Sequence, residues 1–182
     1  MAKFNYDSKC GNRLLVEKIM TDFLQRATAA TFEGEIRKVM LIPGTEGFRT
    51  DLYPDDPAII SITYDFAALT WKDPENRLFN RDFYTRCPAS RGFADITLSL
   101  LHELGHNETL DDLPEDYDRV KELAKVYVEC KGNVGKCVAK YLTLPDEWLA
   151  TQWAVDWLKN PENRKAAKRF ERKFFKAWRE GK

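Results

Sequence analysis

The most informative segment of the chain is Thr97-Leu98-Ser99-Leu100-Leu101-His102-Glu103-Leu104-Gly105-His106, which contains both histidines. His102 and His106 stand four residues apart, so on a helix both imidazoles project from one face and can reach one metal ion. Glu103 lies about 100° further round that helix, where its carboxylate can face a metal-bound water without binding the metal. This H-E-x-x-H spacing is typical of zinc hydrolases with two histidine ligands and a glutamate general base.

Apolar residues crowd the first half of this segment and predict a helix over residues 90–106 that is buried on most sides. Either Ser90 or Asp95 is expected to begin the helix. Unpaired histidine and glutamate side chains are costly in apolar surroundings, and a bound metal ion would remove that cost. The alternative, two histidines on an ordinary surface helix, requires no ligand.

Composition points to one folded domain of ordinary size. The 182 residues are 43% hydrophobic and 13% aromatic, which provides a core and excludes a disordered chain. Lysine plus arginine equals aspartate plus glutamate, at 29 each, so net charge gives no general attraction to nucleic acid or membranes. No apolar run approaches the roughly 20 residues that span a bilayer, and residues 1–7 lack the apolar stretch of a signal peptide. We expect no membrane span, a cytoplasmic location and free cysteine thiols.

Hydrophobic periodicity predicts strands early in the chain and helices late. Strands are expected at residues 35–42 and 58–66, and the second could pair with an extended peptide along its edge. Residues 70–90 are predicted to be mostly loop, and helices are expected at residues 13–29, 115–129, 145–159 and 161–179. In the helix at 115–129 the predicted inward residues are Val120, Leu123, Ala124, Tyr127 and Val128. Strands early and helices late together predict an α+β fold. We expect one domain over residues 1–160, with a basic amphipathic helix over residues 161–182 docked on it.

A catalytic zinc site needs a third protein ligand, and the chain has no third histidine. A cysteine or a carboxylate must therefore serve, on a helix that packs against the H-E-x-x-H helix. Glu147 fits best because Ala150 and Ala154 would permit close approach of the two helices. Glu147 could instead simply stabilise the first turn of its own helix. The other carboxylates that remain open as third ligands are Asp146, Glu129, Asp118, Asp156 and Glu108.

Together these segments resemble the zincin metallopeptidases. The His102–His106 pentapeptide reads H-E-L-G-H, and Glu147, Ala150, Trp153 and Ala154 match the later E-x-E-A-x-x-F-A helix of the compact ImmA/IrrE-type peptidases, with Trp153 in place of phenylalanine. Leu149 departs from the second glutamate of that pattern. The resemblance implies a small gluzincin-type fold with a short sheet packed on the active-site helix. It also implies Zn²⁺ held by His102, His106 and Glu147, and a proteolytic or regulatory role.

If the site is catalytic, Glu103 is expected to act as the general base that takes a proton from zinc-bound water during attack on a peptide bond of a protein or peptide substrate. One donor would help to stabilise the oxyanion, and the tyrosine candidates are Tyr141, Tyr117 and Tyr127. Each of these tyrosines could equally be a core residue.

The end of the chain suggests a different function. Residues 159–182 carry ten lysines and arginines against three glutamates, and Phe170, Phe174 and Trp178 recur on one side of the predicted helix. This helix could dock its aromatic side on the domain, or it could contact nucleic acid, anionic lipid or an acidic partner. The alternative to a peptidase is therefore a non-catalytic zinc-binding regulatory or nucleic-acid-associated protein.

Overall fold

The computed structural model describes residues 12–28, 38–44, 48–51, 56, 58–65, 81 and 83–180. Within these residues the secondary structure elements are α1 (Arg13–Ala27), β1 (Lys38–Gly44), β2 (Phe48–Thr50), β3 (Ile59–Asp65), α2 (Asp95–Glu108), α3 (Arg119–Cys130), α4 (Val134–Tyr141), α5 (Pro145–Lys159) and α6 (Pro161–Glu180). A small sheet early in the chain is followed by helices, so the α+β class predicted from sequence is confirmed.

The sheet has the strand order β1-β3-β2, with β1 parallel to β3 and β2 antiparallel to it. Alternation places Ile60, Ile62 and Tyr64 in the core, as expected for a strand with one buried face. The prediction that this strand offers an edge to a peptide is wrong, because β1 and β2 pair with it on its two sides. Among the described strands, β2 lies at the edge nearer to α2, which it contacts.

Helix α2 is the centre of the packing. Every residue from Leu100 to Asn107 is buried, and the helix contacts α5 more extensively than any other described helix. It begins at Asp95 rather than in the segment around Ser90, which forms a 3₁₀ turn over Pro88–Gly92. Its end, predicted at residue 106, lies at Glu108. The apolar run at its start therefore predicts its burial correctly. Of the two predicted starts Asp95 is the observed one, and the helix ends two residues beyond the predicted end.

Helix α6 packs along α1, where Phe170 stacks on Phe23 with ring centroids 4.3 Å apart. It also reaches the start of α2. The buried carboxylate of Glu171 accepts hydrogen bonds from the Ala94 backbone N–H at 2.5 Å and from the Thr97 hydroxyl at 2.9 Å. A carboxylate at a helix N-terminus satisfies unpaired N–H groups and complements the helix dipole. Helix α6 therefore stabilises the helix that carries the histidines.

Helices α3 and α4 form a hairpin whose main contacts are with each other. The inward face predicted for α3 is wrong, since Val120, Tyr127 and Val128 are 78%, 75% and 76% exposed. The sequence has a second apolar row, Leu123, Val126 and Cys130, and that row is the less exposed one. Residues 134–142, which gave no clear signal in the sequence, form α4.

Helix α3, predicted to begin at residue 115, begins at Arg119 after its N-cap Asp118. The other boundaries follow the sequence closely. Helices α5 and α6 begin at the predicted prolines, Pro145 and Pro161, where a missing N–H costs nothing. Residues 83–86 are helical, although the segment 70–90 is predicted to be mostly loop. No helix in the described part of the chain is long and apolar enough to cross a membrane.

Candidate metal centre

The two histidines of α2 meet Glu147 of α5 in a buried cluster. His102 Nε2 lies 3.0 Å from Glu147 Oε2, and His106 Nε2 lies 3.6 Å from Glu147 Oε1. One ligand atom from each of the three residues lies within 4.8 Å of the others, so the cluster could hold a metal ion. No other such group of His, Cys, Asp or Glu occurs among the described residues.

Close contact between α2 and α5 brings these residues together. Gly105 and Ala150 face each other across the two helices, and a Cβ atom at Gly105 would lie 2.9 Å from Ala150 Cα. Glu147 is one turn before Thr151 on α5, so both side chains project toward α2. The small residues at the crossing therefore set the distance between the histidines and the carboxylate.

Thr151 orients one of the imidazoles. His102 Nδ1 lies 3.1 Å from the Thr151 hydroxyl, and an Nδ1–H donated to that oxygen leaves the lone pair of Nε2 directed at Glu147. An imidazole lone pair and a carboxylate at 3.0 Å repel each other unless a proton or a cation lies between them. The geometry of this pair therefore fits a site for a positively charged ion.

One cation, Arg119, pairs with the two buried acids Asp146 and Glu147. Arg119, the first residue of α3, donates to Glu147 Oε1 at 2.9 Å and forms an ion pair with the buried carboxylate of Asp146. Tyr117 donates to the other oxygen of Asp146, and Tyr141 accepts from Arg119 at 3.3 Å. With Asp146 and Glu147 ionised, the group carries a formal charge of about −1 before Glu103 is counted, and a divalent cation would offset it.

Glu103 lies beside the cluster on the same helix and is only 8% exposed. Burial raises the pKa of Glu103 to about 7, and the charge of Glu147 acts in the same direction, while His102, Arg119 and a backbone hydrogen bond with Thr50 of β2 oppose the shift. A carboxyl group with a pKa near neutrality can accept and release a proton under physiological conditions. This property suits a general base.

The pKa values of His106 and Glu147 are both lower than usual, for different reasons. Burial, together with the neighbouring His102, lowers the pKa of His106 to about 3, so this imidazole is neutral near pH 7 and its Nε2 or Nδ1 can bind a metal. Burial alone would favour the neutral acid at Glu147, but hydrogen bonding with His102 holds its pKa below the ordinary value. Two imidazoles and one carboxylate are the donor set that this cluster offers to a cation.

The other carboxylates considered as third ligands have different partners. Asp146 is turned toward Arg119 and Tyr117, and Glu108 accepts a hydrogen bond from Thr28. Asp118 accepts from the Lys121 backbone as the N-cap of α3. The exposed Glu129 and Asp156 form ion pairs with Lys140 and Lys159. Of these carboxylates, the structure brings Glu147 to the histidines.

Among the tyrosine candidates, Tyr141 is hydrogen-bonded to Arg119 and to Glu147 of the cluster, Tyr117 donates to Asp146, and Tyr127 is exposed on α3. Cys87, Cys130 and Cys137 are free thiols, and Cys10 lies outside the described residues.

Sequence reasoning missed Arg119, Thr151 and Glu171. The position of Thr151, one helical turn after Glu147, could have predicted that it faces the same histidines. Arg119 and Glu171 are brought to their partners only by tertiary packing.

Comparison with known protein families, curated sequences and solved structures finds no match for this chain.

Proposed function

We propose that this protein is a zinc-dependent metallopeptidase that hydrolyses a peptide bond, with Glu103 as general base and His102, His106 and Glu147 as metal ligands. The observation that carries the proposal is the convergence of these three ligand side chains in a buried cluster, with Glu103 beside them. Two imidazoles and one carboxylate, with the fourth position open to water, are a known catalytic zinc ligand set. The zincin-like character of the domain and its gluzincin-type ligand arrangement are parts of the same proposal.

Zinc in this cluster would supply a Lewis acid that polarises the scissile carbonyl and lowers the pKa of a water molecule. The protein residues have separate tasks. Glu103 takes the proton from the attacking water and passes it to the leaving amine. Thr151 fixes the ring of His102, and Arg119 fixes the carboxylate of Glu147.

A peptide is the favoured substrate because β2 lies next to the proposed base. Thr50 on β2 forms a backbone hydrogen bond with Glu103, and β2 is the edge strand nearer to α2 among the described strands. An extended peptide paired with this edge would run past Glu103. Strand β2 therefore takes the role that the sequence suggests for the strand at 58–66.

The test combines metal analysis with cleavage. We expect elemental mass spectrometry to find about one zinc per chain in the purified protein. We also expect the protein to cleave a mixture of unstructured peptides, which peptide mass spectrometry would detect. Glu103→Gln should keep zinc and lose cleavage, whereas His102→Ala and Glu147→Ala should lose both. Asp156→Asn, an exposed carboxylate on the same helix as Glu147, is the matched control and should change neither.

The second candidate function is a non-catalytic metal-binding protein that acts through its basic helix. The concentration of cations on α6 favours it, because this charge has no role in peptide hydrolysis. If the zinc-loaded protein shows no cleavage that Glu103→Gln abolishes, the result would support this second function and contradict the peptidase proposal.

A further inference from the structure

The hairpin of α3 and α4 brings two cysteines together at its turn. Cys130 is the last residue of α3, and Cys137 lies in the first half of α4. The two thiols are hydrogen-bonded to each other. Cys130 is only 2% exposed, whereas Cys137 is half-buried. One sulfur is therefore shielded from solvent directly beside another that solvent can reach.

The backbone of the turn holds the two cysteines in this position. Lys131 and Gly132 have positive φ angles of 48° and 79°, which reverse the chain after the end of α3. The Asn133 N–H donates to the Cys130 carbonyl at 2.9 Å, and the Asn133 side chain accepts from the Lys136 N–H at 2.9 Å as the cap of α4. A disulfide needs a sulfur–sulfur distance of about 2.0 Å, and side chains already in contact can approach it by rotation about their Cα–Cβ bonds. The turn thus prepares the pair without a covalent link.

The surroundings of the pair give the two thiols different roles. Burial and the neighbouring Cys137 raise the pKa of the Cys130 thiol, and the charge of Lys136 opposes the rise. Cys130 therefore keeps its proton, and Cys137 is the thiol that meets a dissolved oxidant first. Partly exposed cysteines beside cations are typical of reactive thiols. Cys87, by contrast, lies in the hydrophobic core.

We propose that Cys130 and Cys137 are a redox-active pair that a hydroperoxide oxidises to a disulfide linking α3 to α4. In the first step the Cys137 sulfur attacks one peroxide oxygen. An S–O bond forms, the O–O bond breaks, and the departing oxygen takes the thiol proton and leaves as an alcohol, or as water from hydrogen peroxide. In the second step the Cys130 sulfur attacks the Cys137 sulfur, the S–O bond breaks, and water leaves with the Cys130 proton. The thiols lose two electrons in total, and the peroxide gains them.

A metal site fits these two cysteines less well than a disulfide does. Structural zinc needs four protein ligands, and the pair supplies two. In the part of the chain that the structure describes, no further His, Cys, Asp or Glu joins them in a group that could hold an ion. The pair therefore favours direct sulfur–sulfur chemistry.

The disulfide would act on the hairpin that holds Glu147. Arg119 begins α3 and Tyr141 ends α4, and both are hydrogen-bonded to Glu147. The main contacts of the two helices are with each other, so few other contacts keep them together. A covalent link at the turn restrains both helices, and oxidation should slow hydrogen exchange in α3 and α4. Equal exchange in the reduced and oxidised forms would contradict this restraint.

The test of the cross-link is peptide mapping of the full-length protein after treatment with hydrogen peroxide, in a Cys10→Ser background that leaves the three described cysteines. We expect one cross-linked peptide pair, Cys130 with Cys137. Both thiols should lose their reaction with N-ethylmaleimide and regain it after dithiothreitol. Cys87→Ser is the matched control and should form the same cross-link. A link to Cys87, or oxidation of Cys137 without any cross-link, would overturn the proposal.

Two further measurements test the order of the steps and the metal alternative. In Cys130→Ser the sulfenic acid of Cys137 has no partner, so dimedone should trap roughly tenfold more of it than in the parent protein. Equal trapping would overturn the role of Cys130. If the untreated thiols react with N-ethylmaleimide only after a chelator is added, they bind a metal and the proposal fails. Cross-linking should be the same in the chelated protein, so this result does not depend on the peptidase proposal.

Discussion

Gly105 on α2 packs directly on the backbone of Ala150 on α5, and a Cβ at position 105 would lie 2.9 Å from Ala150 Cα and 3.0 Å from its carbonyl carbon. These two helices carry the histidines and Glu147. The absence of one methyl group therefore sets the separation of the proposed metal ligands.

Gly105→Ala is expected to destabilise the protein by about 1–3 kcal/mol, because backbone atoms cannot move aside as a flexible side chain can. The gain in helix propensity, about 1 kcal/mol, is too small to compensate. Zinc affinity should fall as well, since the helices must separate. Urea unfolding and zinc titration measure the two effects.

Gly135→Ala is the control for this substitution. Gly135 also lies in a helix, but a Cβ there would make only an ordinary contact with Asn133 at 3.7 Å. It should leave stability unchanged or increase it slightly. If both alanine variants were equally stable, close packing at Gly105 would not be what positions the ligands.

Arg119→Met should cost roughly 2–4 kcal/mol of the free energy of unfolding in the metal-free protein. The substitution leaves the carboxylates of Asp146 and Glu147, each 1% exposed, without their cation. Saturating zinc should recover part of this loss, because a divalent ion can replace Arg119 next to Glu147. Lys121→Met, an exposed cation two residues away, should have little effect in the same thermal unfolding assay. A similar small effect for both variants would contradict this role of Arg119.

Glu171→Ala should destabilise the protein by about 2 kcal/mol, because the Ala94 N–H and the Thr97 hydroxyl lose their acceptor at the start of α2. Glu180→Ala removes an exposed acid from the same helix and should be close to neutral. Hydrogen exchange of the first turn of α2 provides the local measurement. Unchanged protection there would show that Glu171 does not cap the helix.

The pKa of Glu103 gives a pH-dependent prediction for the chelated protein. Its folded-state value of about 7 lies above the ordinary 4.5, so the folded protein binds the proton more tightly than the unfolded chain. The resulting stability is fully present below pH 4.5 and is lost as the pH rises through 7. Glu103→Gln should therefore be more stable than wild type by about 3 kcal/mol at pH 8 and nearly equal at pH 4. Urea unfolding at several pH values checks this, and parallel stability curves would contradict it.

The sequence predicted the parts of the candidate site that depend on local periodicity. The spacing of His102 and His106 places two imidazoles on one helix face in any long helix, and Pro145 indicates where the helix of Glu147 begins. The choice of Glu147 depended on the pattern of small residues on its helix, and Ala150 does lie against Gly105. Local pattern therefore identified the residues that the structure brings together.

The incorrect or missing predictions concern segments with two competing apolar patterns and contacts that depend on tertiary packing. Helix α3 has apolar residues on two sides, so periodicity could not tell whether Tyr127 or Val126 faces inward. The three-residue strand β2 is too short to have a periodicity of its own. The partners of Arg119 lie more than 20 residues away in sequence, and the partners of Glu171 at the start of α2 more than 70, so no local signal connects them.

The capping of α2 by Glu171 has a consequence for the order of events during synthesis. A nascent chain that has emerged only as far as α5 already contains both histidines and Glu147, but the carboxylate that secures the start of the histidine helix has not yet been made. Domains assemble as the ribosome delivers them from the N-terminus. We therefore expect the candidate metal centre to mature only after Glu171 has left the ribosome and α6 has docked.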